Sequence, residues 1–162
     1  MKPNKFSPAH KSKGLAELVC SNSLKAISPE KASGILKLEM LELDSLIINT
    51  AYKCKLPAGG ALAVDRKEFS RIISEKIRNN SLIEVIEEEI LSIPEDLSYP
   101  LIIASGPLTS KSLSQNIEEF IGEENLSFYD SISPIVSFES LDPNCYFKAS
   151  RYEESDGDYI NC

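Results

Sequence analysis

The sequence predicts a mixed α/β layer fold, and three observations carry that expectation. Two stretches in the first half place apolar residues at helical spacing. Short runs rich in Ile, Val and Leu follow, bounded by Pro, Gly and Asn. The resulting order is helix, helix, strand, strand, helix, strands, which suits layers of helix on sheet rather than a bundle or a sandwich.

Residues 1–27 contain Pro3, Pro8 and Gly14 with no sustained period, and read as extended loop. "SPEK" at 28–31 reads as a helix start, with Ser28 as cap and Pro29 in the first turn. Leu36, Met40, Leu43, Ile47 and Ala51 then form one stripe, which predicts a single long helix. Pro57 and the pair Gly59-Gly60 mark a turn, and Ala61–Val64 is a short apolar run. Asp65 with Glu68 three residues on is a capping-box-like start. Phe69, Ile72, Ile73, Lys76 and Ile77 make one face of the helix it opens, which ends near Asn79-Asn80. "LIEVIEEEILSI" at 82–93 reads as one or two strands, although Glu87–Glu89 interrupts the alternation. Leu101–Ala104 reads as a strand leading through "SGPLTS" into a helix with Leu113, Ile117, Phe120 and Ile121 inside and Gly122 at its end. The last forty residues read as short strands and turns.

A length of 162 residues fits one domain, and 42% hydrophobic content supports one core. No apolar run approaches the roughly 18–20 residues of a membrane helix. The start, "MKPNKFSPAHKSK", has no apolar segment of a secretory signal. Cys20, Cys54, Cys145 and Cys162 form no C-x-x-C pair and His10 is the only histidine, so the expectation is no metal and the reduced thiols of a cytoplasmic protein. Net charge is −8, but residues 1–37 carry seven lysines against Glu17 and Glu30. A polyanion is therefore repelled by most of the surface and tolerated near the first segment. A solvated lysine-rich end explains the same asymmetry.

Chemistry concentrates in "AELVCSNSL" at 16–24. Cys20 there is either a small hydrophobe packed in the core or a thiol facing a cofactor or substrate. In the second case Ser21, Asn22 and Ser23 supply hydrogen bonds. Gly59-Gly60 belongs to no G-x-G-x-x-G or Walker loop, so motif physics alone names no reaction.

Several strings together resemble one family, the folate- and FAD-dependent tRNA (uracil-5-)-methyltransferases (TrmFO), relatives of the GidA flavoproteins. They are "PAH" at 8–10, "AELVCSNSL" at 16–24, "LPAGGALAVDR" at 56–66 with "EFS" at 68–70, and "IIASGPLTS" at 102–110. "FYD" and "PIV" within 128–136, "SRY" at 150–152 and "DYINC" at 158–162 continue the series in the family's order. Departures are Lys11, Lys25 and Lys67 in place of a histidine, an arginine and a histidine, Ser131-Ile132-Ser133 in place of an alanine-rich string, and Ser105 in place of a threonine. Lysine cannot reproduce the two-pronged anion recognition of arginine, so an anion contact is not carried over to Lys25.

The resemblance implies a partial glutathione-reductase-like FAD-binding fold with an inserted α+β segment. Residues 1–162 would then be one incomplete flavoprotein domain: 1–27 a loop segment near the flavin, 28–110 helices and sheet strands, 111–162 part of an inserted or substrate region. The family's dinucleotide fingerprint would precede residue 1 and a second cysteine would follow residue 162, so these residues alone are expected to be an inactive internal piece that needs the missing parts of its own chain.

The activity implied is formation of 5-methyluridine in the tRNA T-loop, with methylenetetrahydrofolate as carbon donor, FAD as carrier and NAD(P)H as reductant. Such chemistry needs a thiolate, because a neutral thiol is far less reactive. Cys20 matches one of the family's two cysteines. Ser21, Asn22 and Ser23 would bond ring or ribityl atoms, and Gly59, Gly60, Arg66, Gly106 and Pro107 would contact cofactor. Each has a plainer reading: Gly59-Gly60 and "SGP" as turns, Arg66 as a solvated first-turn residue, Asp65 as a helix cap. Arg151 and Tyr152 are RNA or cofactor contacts, or an exposed strand pair. Cys54, Cys145 and Cys162 are expected to pack. Two alternatives remain: the same chemistry on ribosomal RNA, or a GidA-like remnant with only a binding role.

Overall fold

A computed structural model describes residues 6, 10–96, 98–106, 109–122, 136–150 and 157–161. The chain forms two compact units, one of residues 1–13 and 86–132, the other of 14–85 and 133–162. Helices and strands mix, as expected of an α/β chain. No described helix is long and apolar enough to cross a membrane.

The second unit is built on a three-stranded antiparallel sheet of β1 (Ser23–Ala26), β2 (Lys55–Leu56) and β3 (Ala61–Val64), with β3 in the centre. All four β3 residues are buried, and their side chains alternate between the two faces. Leu62 and Val64 join Ala51, Cys54, Phe69 and Ile73 in the main core. These come from α2 (Leu46–Lys53), its C-cap and α3 (Arg66–Arg78). Ala61 and Ala63 face the other way and, with Ala58, pack against Tyr159. Methyl groups suffice there because the tyrosine ring fills the volume. Tyr159 begins β5 (Tyr159–Asn161), which pairs antiparallel with β4 (Phe147–Ala149).

Three expectations fail in this unit. Residues 23–26 are strand rather than loop: Ser23 pairs with Ala63 and Ala26 with Ala61, so β1 bulges by one residue and Lys25 takes φ +67. The bulge hides the strand's alternation from a sequence reading. The long helix of 28–51 is two helices, α1 (Ala32–Glu42) and α2. Asp44, at φ +53, donates its N–H to Leu41 O, and Ser45 donates to Met40 O, which closes α1 with a Schellman motif built on aspartate. Ser45 Oγ then accepts from Ile48 N and caps α2. The break leaves Leu43 82% exposed, while Gly34 and Lys37 are the buried residues of α1. Finally, α1 starts at Ala32 with no side-chain cap; Ser28 Oγ accepts from Glu30 N in the preceding turn.

In the first unit, α4 spans Lys111–Ile121, is capped by Ser110 and is closed by Gly122 at φ +70, the end that the sequence predicts; of the expected inner face Leu113 is buried, whereas Phe120 and Ile121 are exposed. The runs at 82–93 and 101–104, expected as strands, are irregular. A strand persists only in a hydrogen-bonded ladder, and no described residue pairs with these. Within this unit Ile90, Ile93, Leu101 and Ile103 line an open hollow together with Leu113 of α4. The backbone N–H of Ile93 donates to Asn116 Oδ1 at 2.7 Å.

Candidate functional site

The loop carrying Cys20 is anchored on both sides. Ala16 and Leu18 before it, and Leu24 and Ile27 after it, pack against the main core. Leu15 N donates to Ser74 Oγ at 2.8 Å and Ser70 Oγ donates to Leu15 O at 2.6 Å, tying the approach to α3. Between these anchors the chain turns outward, so Cys20 and Ser21 are exposed. Cys20 is thus a presented thiol and not a core residue.

The polar residues after it hold the loop. Ser21 Oγ accepts from Ser23 N at 3.0 Å. Asn22 Nδ2 donates to Val64 O at 3.1 Å, and Val64 N donates to Asn22 O at 3.0 Å. Asn22 is therefore docked on the last residue of β3, one residue before the cap of α3. Asp65 Oδ1 accepts from Lys67 N and Glu68 N at 2.9 and 3.0 Å, which confirms it as the cap. Arg66, the first residue of α3, is half-buried beside it in sequence. Farther along α3, Arg71 is engaged by Glu68 and Glu75. That pairing holds Glu68 below the usual carboxylate range, chiefly through the Arg71 hydrogen bond. The structure thus brings Cys20, Ser21, Asn22 and Ser23 to the same end of β3 as Arg66.

It places Gly59 and Gly60 at the other end. The β2–β3 turn lies a whole strand away, roughly 13 Å at about 3.3 Å per residue. Gly59 has φ +54, and Gly60 O accepts from Ile27 N at 2.9 Å. The Gly59 N–H donates to Asp158 Oδ2, a contact 99 residues apart in sequence that the sequence reading missed. Its sequence trace is the Gly-Asp pair at 157–158, which reads as a turn in isolation.

Gly106 belongs to the first unit. Its φ of +66 favours glycine, while the space above its Cα is open. Its carbonyl oxygen accepts from Thr109 N at 3.2 Å and from Thr109 Oγ1 at 2.6 Å. Pro107, Arg151, Tyr152 and Cys162 lie outside the described residues. Of the cysteines expected to pack, Cys54 is buried, donating to Thr50 O at 3.1 Å, whereas Cys145 is exposed. Burial pushes the Cys54 thiol up, which keeps it protonated. Among the described residues no three His, Cys, Asp or Glu side chains cluster as metal ligands.

The chain matches the family described as glucose inhibited division protein A over residues 6–162. It is 52% identical over its full length to the methylenetetrahydrofolate--tRNA-(uracil-5-)-methyltransferase TrmFO of Acetivibrio thermocellus, covering 37% of that protein. The proteins of the same name from Desulforamulus reducens and Geotalea uraniireducens are 52% and 53% identical, with 36% and 37% of their lengths covered. The chain thus spans little more than a third of the curated relatives it matches. A family match over all but the first five residues carries the assignment: the chain belongs to the glucose inhibited division protein A family.

Proposed function

We propose that these residues are part of a flavin- and folate-dependent tRNA (uracil-5-)-methyltransferase acting on the T-loop uridine of cytoplasmic tRNA. The full protein would adopt the glutathione-reductase-like FAD fold, with the irregular runs at 82–93 and 101–104 completing their ladders against polypeptide outside 1–162. The observation that carries the reading is the exposed Cys20 thiol on a loop clamped to β3, in a chain half identical to enzymes of that name.

The donor set fits a flavin. A thiol, the Ser21 hydroxyl and the Asn22 amide stand together on one loop, and Arg66 opens the helix next to it. The Asn22 clamp fixes the loop before any ligand arrives, so binding orders little further chain. Bound FAD would take the one-carbon unit from methylenetetrahydrofolate and electrons from NAD(P)H. Cys20 would present its sulfur to the reacting centre, Ser21 and Ser23 would bond ring or ribityl oxygens, and Asn22 Oδ1 would accept from a ring N–H. Arg66 would meet a phosphate. Gly106 and Pro107 would approach the dinucleotide.

The test uses the protein as its gene encodes it, supplied with FAD, methylenetetrahydrofolate and NAD(P)H. Transcripts of tRNA and ribosomal RNA are assayed separately for 5-methyluridine. The expected result is methylation of the tRNA T-loop and loss of most of it in Cys20→Ser. Methylation of ribosomal RNA alone would transfer the same chemistry to that substrate. Absence of methylation, or an unaffected Cys20→Ser, would overturn the reading.

A further inference from the structure

The lysine-rich first segment has a structural focus on β1, an edge strand against which α1 packs. Lys37 of α1 donates through Nζ to Ala26 O at 3.0 Å and to Ser33 O at 2.9 Å, and Ser33 Oγ donates to the same Ala26 O at 3.3 Å. Lys37 is thus a buried ammonium whose partners are all neutral. Buried charges ordinarily sit beside opposite ones. Here the residue next to Ala26 is another cation, Lys25, which is exposed and whose charge opposes that of Lys37. Among the described residues no carboxylate engages either ammonium. Lys25 is placed there by the β1 bulge at φ +67, a conformation unfavourable to a residue with a Cβ. Ser23 paired with Ala63 before it and Ala26 buried after it hold it in that state. Such strain, fixed by its surroundings, marks positions to which function is assigned.

We propose that Lys25 and Lys37 form a site for one phosphate group of the substrate RNA's backbone, with Lys25 the contact and Lys37 the buried charge beside it. This deepens the proposed function and rests on it. The chemical class follows from charge. Neither lysine has the arginine fork, but two ammonium groups attract a singly charged phosphodiester as point charges. Buried charge is little screened by salt, so Lys37 adds to the attraction without reaching solvent. The RNA backbone is favoured over the pyrophosphate of FAD because Lys25 stands exposed. Residues 25–37 also carry three lysines, Lys25, Lys31 and Lys37, against the single acid Glu30, in a chain whose net charge is −8. A polyanion is steered to such a spot and away from the rest of the surface. Five residues separate Lys25 from Cys20, at most about 18 Å of extended chain, so RNA held there passes near the thiol.

The test is made in the protein as its gene encodes it, by measuring the affinity for a tRNA transcript over a range of salt concentrations. Lys25→Gln removes the contact charge, Lys25→Arg keeps it, and Lys76→Gln removes an exposed lysine of α3 as a control. For Lys25→Gln the expected outcome is an affinity weakened about 3- to 10-fold, as loss of one charged contact predicts. The slope of log affinity against log salt falls by about one, the signature of one phosphate released. Lys25→Arg returns both readouts close to wild type, Lys76→Gln leaves them there, and flavin content by visible absorbance is unchanged throughout. Lys37→Met weakens binding too, and Lys25→Gln added to it costs less than it does alone, because the two charges act on one phosphate. Should Lys37→Met fail to fold, Lys25→Gln against Lys76→Gln decides. Equal slopes for those two variants would mean a diffuse field and overturn the proposal. Loss of flavin with RNA affinity intact would hand the phosphate to the cofactor and overturn it as well. Wild-type protein that neither binds nor methylates tRNA would sink the proposed function and this inference together. A methylating wild type with an indifferent Lys25→Gln sinks only this inference.

Discussion

Asn22 and Val64 bond each other twice, side-chain amide to carbonyl at 3.1 Å and backbone N–H to carbonyl at 3.0 Å. The pair joins the Cys20 loop to the end of β3, 42 residues later. Removing the side-chain half should loosen the loop without disturbing the core. Asn22→Ala is expected to cost about 1–2 kcal/mol, the usual worth of one such bond plus a poorly satisfied carbonyl. Asn22→Asp should cost at least as much, because a carboxylate cannot donate to Val64 O. Urea midpoints of the two variants check this, and an Asn22→Ala midpoint at the wild-type value would show that the clamp contributes nothing.

The same bond marks the boundary of what the sequence discloses. Asp65 and α3 were legible because everything that makes them lies within a few residues: a capping carboxylate, then Phe69 and Ile73 at helical spacing. The end of α4 at Gly122 was legible for the same reason. β1 was not, since its evidence is a partner strand beyond α1 and α2, and the bulge at Lys25 scrambles its period. Nor was the break between α1 and α2, because aspartate at φ +53 does the work usually done by glycine. At the site, residue types pointed to Cys20. That it is exposed, that Asn22 holds it, and that Asp158 reaches Gly59 all depend on contacts tens of residues apart.

Cysteine reactivity should separate along the same lines. A thiol alkylates as thiolate and only where reagent can reach it. Cys20 and Cys145 are exposed. Cys54 is buried and its pKa is raised, first by desolvation and further by the nearby Asp65 and Glu68 carboxylates, with a backbone hydrogen bond opposing. Iodoacetamide at neutral pH is therefore expected to modify Cys20 and Cys145 in the folded chain and to reach Cys54 only in denaturant. Peptide mass spectrometry reads the sites. Equal native labelling of Cys54 and Cys20 would mean that the core around Ala51 and Phe69 is open.

Lys37 gives stability a pH dependence. It is only 5% exposed, and its Nζ donates to Ala26 O at 3.0 Å and Ser33 O at 2.9 Å, pinning α1 to the end of β1. Burial, and then the charge of Lys25, lower its pKa from 10.5. Between the lowered value and 10.5 the unfolded chain binds more protons than the folded one, so stability rises with pH across that window. Below the window the cost of burying the cation is constant. Cys54 acts oppositely above its ordinary value of 9.0, because its folded pKa is raised. A comparison with Lys37→Met isolates the lysine: the wild type should gain on the variant as pH climbs toward 10.5. A wild type that loses ground to the variant over that range would reverse the assigned direction.

Gly34 sets helix propensity against packing. It lies inside α1, where alanine is ordinarily better than glycine by about 1 kcal/mol. Here α1 passes so close to the preceding turn that a Cβ on Gly34 would sit 1.8 Å from Ser28 O and 2.5 Å from Ser28 C. Both atoms are backbone, so no rotamer change can make room. The turn is itself held, by Lys31 N donating to Ser28 O at 3.1 Å and by Ile27 N donating to Gly60 O at 2.9 Å. Gly34→Ala must therefore displace either the helix or the Ile27–Ser28 segment that leads out of β1. The expected outcome is a net loss of about 1–3 kcal/mol, the range for overfilling a tight site, in place of the gain that propensity alone predicts. The sign is the measurement. A Gly34→Ala chain that melts at or above the wild-type temperature would place α1 farther from β1 than the close approach at Ser28 requires.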